Sequence, residues 1–397
     1  MKNQHVIVAG AGIGGLASAL ALAHAGQRVT VLERSAQFAP IGAGIQLGPN
    51  AIKQLARWGL REAVLAQACL PEAIGIHDAK TGRSIHRILL GAAVQQRYGE
   101  VYASIHRADL HTALLAALRA QPAVQCVLDA GVDRTDLLPD GGVQVSSAQH
   151  TYTADALIAA DGVWSTVRQQ MLADGAPRAT GHAAYRALVP IACVPQEWRS
   201  NVGVWWASNV HVVHYPVRCG QFLNLVVLSE RASAQATASW AQPASQAQVM
   251  ANVPQVCAQL HAILDAASTS QTSWHSWHLY DRSAAATWVR GHAALLGDAA
   301  HPMLPYLAQG AAMAIEDAAV LAQQAAQATD WPSALQQYQQ LRHARCARVV
   351  STARRNGQIF HLRAPIAMVR DAVLTAKGTQ VLGMPWLYGA DVLATTT

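Results

Sequence analysis

Lysine is nearly missing from this 397-residue chain and occurs only at positions 2, 53, 80 and 377. Charged residues of all kinds make up 13%, which excludes the charge-rich, hydrophobe-poor makeup of a disordered protein. The net charge of +6 therefore rests on arginine, and the arginines are scattered singly. A nucleic-acid binder needs a clustered basic patch, so no nucleic-acid partner is expected. The mild positive excess suits small anionic ligands instead. The six cysteines, at 69, 126, 193, 219, 257 and 346, include no CxxC and no pair at metal-ligand spacing. No metal site is expected, and the thiols read as the reduced ones of a cytoplasmic protein. No uninterrupted apolar run of about 18 residues offers a membrane span. The first residues lack the ordered regions of a signal peptide.

Apolar bulk is plentiful. Hydrophobic residues make up 52%, enough for a large core. His5-Val-Ile-Val-Ala9 is a short apolar run of the buried parallel-strand type. Gly10-Ala-Gly-Ile-Gly-Gly15 follows, then an Ala/Leu-rich helix stopped by Gly26. Val29–Leu32 is the next strand, closed by Glu33. Helical patterning covers about 50–68 and 107–120. The stretch from about 70 to 103 alternates and reads as strands, as does 142–160. From about 178 to 290 the texture changes to extended patterns with Trp205, Trp206, Trp240, Trp274, Trp277 and Trp288. That segment predicts a mostly antiparallel sheet. A buried strand at 293–296 and helices near 309–328, 332–357 and 363–377 complete the chain. The expected architecture is α/β. A Rossmann-like domain of residues 1–177 and 291–397, with C-terminal helices, is interrupted by a sheet layer at 178–290.

Three motifs carry chemistry. In Gly10-x-Gly12-x-x-Gly15, Gly10 permits a tight turn, Gly12 lets backbone approach a pyrophosphate, and Gly15 lets helix and strand pack closely. The helix N-terminus then faces phosphate. Glu33, about twenty residues on, can accept hydrogen bonds from a ribose. This unit alone does not separate NAD from FAD. The second motif, Leu295-Leu-Gly-Asp298-Ala-Ala-His301-Pro302, follows a buried strand. Its Asp can hold a ribityl or ribose hydroxyl, and Pro302 fixes the turn. The helix starting at Gln309-Gly310-Ala311 turns its positive end towards developing negative charge. The third, Ala160-Asp161-Gly-Val-Trp-Ser165-Thr-Val-Arg168, is by itself ordinary strand–turn–helix chemistry, with Arg168 adding positive charge near a cofactor mouth.

In this order and spacing the three motifs resemble the single-component (group A) FAD-dependent aromatic monooxygenases, which share the p-hydroxybenzoate hydroxylase fold. The chain looks closest to the branch of salicylate hydroxylases, 3-hydroxybenzoate 6-hydroxylases and 6-hydroxynicotinate 3-monooxygenases. Gly44-Ile-Gln-Leu-Gly-Pro49-Asn50, His106–Leu110, Tyr185-Arg186 and Trp386-Leu-Tyr388 extend the resemblance along the whole chain. It implies FAD, NADH or NADPH as a transient co-substrate, and O2. It also implies hydroxylation of a small phenolic acid, salicylate- or 3-hydroxybenzoate-like, through a flavin C4a-hydroperoxide. Gly10, Gly12, Gly15, Glu33 and Arg34 would hold the ADP half, with backbone contact from Val132. Arg107, Asp298 and Pro302 would serve the remainder of the cofactor, Asp161 would belong to a motif serving both FAD and the pyridine nucleotide, and Gly310 and Ala311 would offer N–H groups to the flavin ring.

The same resemblance puts His211 and Tyr215 at the substrate. Imidazole has a pKa suited to taking a phenol's proton, and four residues along a regular strand return to the same face. His214 falls on the opposite face. Pro305 and Tyr306 are expected above the flavin's reactive edge. His301 is expected to stabilise its loop. The tryptophans are expected mostly in the core, with lining of the pocket by Trp205 or Trp206 as the alternative. Some 3-hydroxybenzoate 6-hydroxylases carry Gln where Pro305 falls, which leaves hydroxypyridine carboxylates open as substrates. Competing readings are a flavin-dependent oxidase or epoxidase, and a non-catalytic flavin-binding protein. A monomer or homodimer is expected, with no membrane partner.

Overall fold

The computed structural model describes residues 1–38, 42–139, 141–230, 242–253 and 255–394, with the backbone alone at 379–382. Trp240 lies outside the described residues. The apolar run His5–Ala9 forms the centre of a six-stranded sheet and is fully buried from Val6 onward. It pairs in parallel with Arg28–Leu32 on one side and Ala156–Ala159 on the other. Val124–Val127 and Ala293–Leu295 extend the sheet in parallel, and Val289–Arg290 closes one edge antiparallel. Strands this apolar must be covered on both faces. The helices Ile13–His24 and Gly310–Gln327 supply part of that cover and pack against each other.

The second layer is an eight-stranded sheet in the order Gln242–Ala244, Trp274–Asp281, Arg178–Pro190, Phe222–Ser229, Val210–Val217, Val202–Ala207, Ala73–Asp78, Ser84–Leu89. Its pairs are antiparallel except Val202–Ala207 with Ala73–Asp78, which is parallel. The bounds 178–290 therefore leave out two strands of this sheet. A parallel partner can come from anywhere in the chain, so their alternation showed strands without showing which sheet they join. The helix Gly91–Tyr98 also departs from the strand reading of 70–103. Its Ala, Gln and Arg content favours helix, and Gly99 ends it in the left-handed conformation.

Alternation decides what the large sheet shows to each side. Val210 and Val212 pack with Leu225, Val227 and Trp205 under the helix Ala258–Thr269. His211, Val213 and Tyr215 point the other way, with Val226, Leu228 and Trp206, into a cavity between the two layers. The long helix Trp331–Phe360 runs across the back of the loop after Ala293–Leu295 and ends beside that cavity. Among the described residues no helix is long and apolar enough to cross a membrane.

Candidate active site and cofactor cradle

The first turn is shaped by close approach. Gly10 has a φ of +94°, and a Cβ on Gly15 would fall 1.8 Å from the Gly10 carbonyl oxygen. Gly12 caps the helix Ile13–His24 with no side-chain hydrogen bond, which leaves helix N–H groups for an anion. Glu33 accepts from Ala11 N at 2.8 Å and from Ser35 N at 2.9 Å. Its carboxylate is thereby pinned beside the turn. Ala130 N donates to the Glu33 carbonyl, which brings the 130–132 segment to the same rim. There a Cβ on Gly131 would meet Arg34 Cβ at 3.1 Å, and Val132 packs on the core.

Arg107 opens the helix Arg107–Arg119, and its Nη2 would lie 3.9 Å from a Cβ on Gly12. Burial lowers its pKa, and the charge on Asp298 works against that. Asp298 is exposed where it opens onto the cavity, and desolvation by the surrounding protein raises its pKa against the charges of His301 and Arg107. Behind it the loop is clamped. His301 Nε2 lies 2.6 Å from Asp317, Gly297 N donates to Asp317, and Arg342 bonds both Asp317 (2.8 Å) and Glu316 (2.7 Å). Burial alone would raise the Asp317 pKa, but His301 and Arg342 hold it at about 2. Cys346 also converges on His301 and Asp317, yet the Arg342 guanidinium already occupies the space beside them. His301 thus anchors the loop and does not line the cavity.

Pro302 is buried behind that loop. Pro305 and Tyr306 begin the short 3-10 turn Pro305–Leu307 on the cavity wall. The helix Gly310–Gln327 has no side-chain cap, because the Gln309 amide is taken by Asn50 at 3.1 Å. Gly310 and Ala311 line the cavity with their N–H groups left for a ligand. Asp161 accepts from Val167 N at 3.3 Å through one oxygen, while the other is buried with no partner among the described residues. Burial raises its pKa. Arg168 corrects the sequence reading. It is fully buried and bonds Asp174 and the carbonyls of Ala299, Ala300 and Ser283. Its charge braces the fold and does not face a cofactor mouth.

The cavity holds about 720 Å³. Its walls are mostly apolar, from Ile74, Ile76, Val204, Trp206, Val226 and Met303. Arg87 and Arg97 are exposed at its border. Deep inside is Arg186, whose Nε is buried with no partner among the described residues and whose guanidinium lies over Trp277 at 5.2 Å. Desolvation lowers its pKa. Tyr215 faces the same space beside Gln46, which Tyr102 also bonds. Burial pushes the Tyr215 phenol up, with Arg186 opposing.

His211 is 2% exposed and faces the cavity among Tyr306, Phe360 and His361. Its Nδ1 lies 2.8 Å from His361 Nε2, and His361 Nδ1 lies 2.8 Å from Glu230. Burial, then His361 and His182, hold the His211 pKa well below its ordinary value. Burial lowers His361 as well, against Glu230. Two neutral imidazoles and a carboxylate admit one hydrogen-bond direction. The carboxylate only accepts, so His361 Nδ1 donates and His361 Nε2 accepts. His211 Nδ1 therefore donates, and His211 Nε2 carries the lone pair. His214, on the other face, packs against Trp198 and Trp205 with neither nitrogen bonded among the described residues. Burial drives its pKa to about 3. Trp206 lines the cavity, whereas Trp205 is buried beneath the sheet. The sequence reading missed His361, Glu230, His182, Gln46 and Tyr102, and gave Arg186 no role. Gln46 and Arg186 lie in segments that carried the resemblance without a role attached, the others sit in no motif, and His361 reaches the site only because a 30-residue helix ends there.

The profile of a family described as FAD binding domain matches residues 3–353. The chain belongs to this FAD-binding family. It is 38% identical over 393 residues to a 3-hydroxybenzoate 6-hydroxylase from Polaromonas naphthalenivorans (strain CJ2), covering 98% of this chain and 96% of the relative. It is 34% identical over 353 residues to a 6-hydroxynicotinate 3-monooxygenase from Bordetella bronchiseptica, covering 87% and 90%. A salicylate hydroxylase substrate complex has the same fold, with a TM-score of 0.83 at 26% identity over 98% of this chain and 96% of that one. The protein is thus an FAD-dependent monooxygenase working with NAD(P)H and O2. The glycine turn, the uncapped helix starts at Gly12 and Gly310, the pinned Glu33 and the half-satisfied Asp161 all fit that cofactor.

Proposed function

We propose that this enzyme hydroxylates a small phenol bearing a ring carboxylate, of the 3-hydroxybenzoate kind. One observation carries the reading. A buried imidazole, neutral and with its Nε2 lone pair left over, faces an apolar cavity that also holds an arginine whose Nε has no partner among the described residues. His211 Nε2 takes the phenol's proton, which makes the ring electron-rich. Tyr215, four residues on, orients the substrate. Arg186 pairs with the carboxylate, since a buried charge requires a partner. Tyr306 and Pro305 close the wall opposite, and the apolar lining excludes water.

Gly10, Gly12, Gly15, Glu33, Arg34 and Val132 hold the adenosine end of FAD. Arg107, Asp161, Asp298 and Pro302 hold or shape its middle. The first N–H groups of the helix Gly310–Gln327 sit where they stabilise negative charge on the ring system. Bound and reduced by NAD(P)H, FAD supplies the activation of O2. The enzyme acts as a monomer or homodimer in the cytoplasm.

The test is a substrate panel on the purified holoenzyme, with NADH consumption followed and products weighed. It contains 3-hydroxybenzoate, salicylate, 4-hydroxybenzoate, gentisate and 6-hydroxynicotinate. Stimulated consumption with a gain of one oxygen by 3-hydroxybenzoate supports the reading. Oxygen gained only by 6-hydroxynicotinate moves the assignment to hydroxypyridine acids. Consumption that yields only H2O2 from every acid rejects it.

A further inference from the structure

The base at the cavity floor does not end at His211. His361, at the C-terminal end of the helix Trp331–Phe360, receives its Nδ1 at 2.8 Å, and Glu230 receives His361 at 2.8 Å. His211 and His361 are both nearly inaccessible, but the Glu230 side chain is 34% exposed. It opens into a second cavity, lined also by His182, Arg178, Asp281 and Arg354. Tyr306 walls both cavities, and its hydroxyl is taken by His182 at 2.5 Å. The chain of three groups thus runs from one cavity to the other through a wall of buried side chains.

We propose that His361 and Glu230 are the exit path for the substrate's phenolic proton, from His211 to the second cavity. The inference rests on the reading of His211 as the proton acceptor. The steps balance without any redox partner. The phenol O–H breaks as an N–H forms at His211 Nε2. The N–H at His211 Nδ1 breaks as one forms at His361 Nε2. The N–H at His361 Nδ1 breaks as an O–H forms at Glu230, which then loses its proton to water. Each imidazole ends neutral, so no charge is stranded in the wall, where it would be costly. Without the relay, a proton on His211 would leave an imidazolium in a site that disfavours one. The groups facing the path are His182, Tyr306 and, beside His361, Arg370. None of them lies between its members. His361 and Glu230 act through His211 and do not touch substrate.

The experiment mixes oxidised holoenzyme with 3-hydroxybenzoate in weakly buffered solution containing a pH-indicator dye, without NADH. Benzoate, which has no phenol, is the control. The parent releases protons on binding 3-hydroxybenzoate and none on binding benzoate. Glu230→Gln keeps an acceptor for His361 but cannot carry a proton. It is expected to slow release by roughly tenfold or more with ligand affinity unchanged, and added imidazole buffer restores the rate. His361→Gln is expected to behave likewise. Release from both variants at the parent's rate overturns the relay while leaving the His211 reading intact. Unaltered release from His211→Ala, or none from the parent, overturns that reading and the relay with it.

Discussion

His211 Nδ1 and His361 Nε2 lie 2.8 Å apart, joining the middle of the large sheet to the end of a C-terminal helix. The contact fixes which nitrogen of His211 keeps its lone pair at the cavity. His211→Ala should lower hydroxylation by about a hundredfold or more while the protein still purifies yellow with full flavin. The check is turnover per bound FAD. A variant that hydroxylates as fast as the parent at neutral pH would show that another group takes the proton.

Arg186 supplies positive charge deep in the cavity. Arg186→Gln should raise KM for the acid substrate by roughly tenfold to a hundredfold, the worth of a hydrogen bond to a charged group. Binding of the corresponding neutral amide should change little. Equal losses for acid and amide would mean that Arg186 serves the cofactor or the fold and not the carboxylate.

Arg342 bonds Glu316 and Asp317, and all three are fully buried. Arg342→Met removes the guanidinium shared by two buried carboxylates, leaving Asp317 to His301 and Glu316 to Arg345 and Asn50, and should cost about 3 kcal/mol of stability. Denaturant unfolding of the apoprotein measures it. An unchanged midpoint would show that the pair contributes nothing to the fold.

His214 is packed among tryptophans with no hydrogen bond among the described residues, and its folded pKa of about 3 lies below the ordinary 6.5. The unfolded chain therefore binds a proton that the folded one refuses. The neutral-His contribution is complete above pH 6.5 and is lost as pH falls from there towards 3. The slope is roughly 1.4 kcal/mol per pH unit. His214→Leu should flatten the acid limb of the Tm–pH curve. A limb as steep as the parent's would place the acid sensitivity elsewhere.

The sequence was most informative where chemistry is local. Gly10–Gly15, Glu33 and the Asp298 loop each need their residue types at short spacing, so the turn and the helix starts were readable. The strand bearing His211 and Tyr215 was readable through alternation, which also placed His214 on the other side. Long-range contacts were not readable. Ala73–Asp78 joins the large sheet through a parallel pairing that no local pattern encodes. His361 meets His211 across 150 positions. Arg168 looked like a charge for the cofactor because three of its partners, the carbonyls at 283, 299 and 300, are distant in the chain.

The most direct test of oxygen insertion into a phenolic acid is turnover of 3-hydroxybenzoate with NADH under isotopically labelled O2, with the product weighed by mass spectrometry. The account predicts one labelled oxygen atom in the hydroxylated acid. Product oxygen drawn from water, or label recovered only as H2O2 beside unchanged acid, would contradict it.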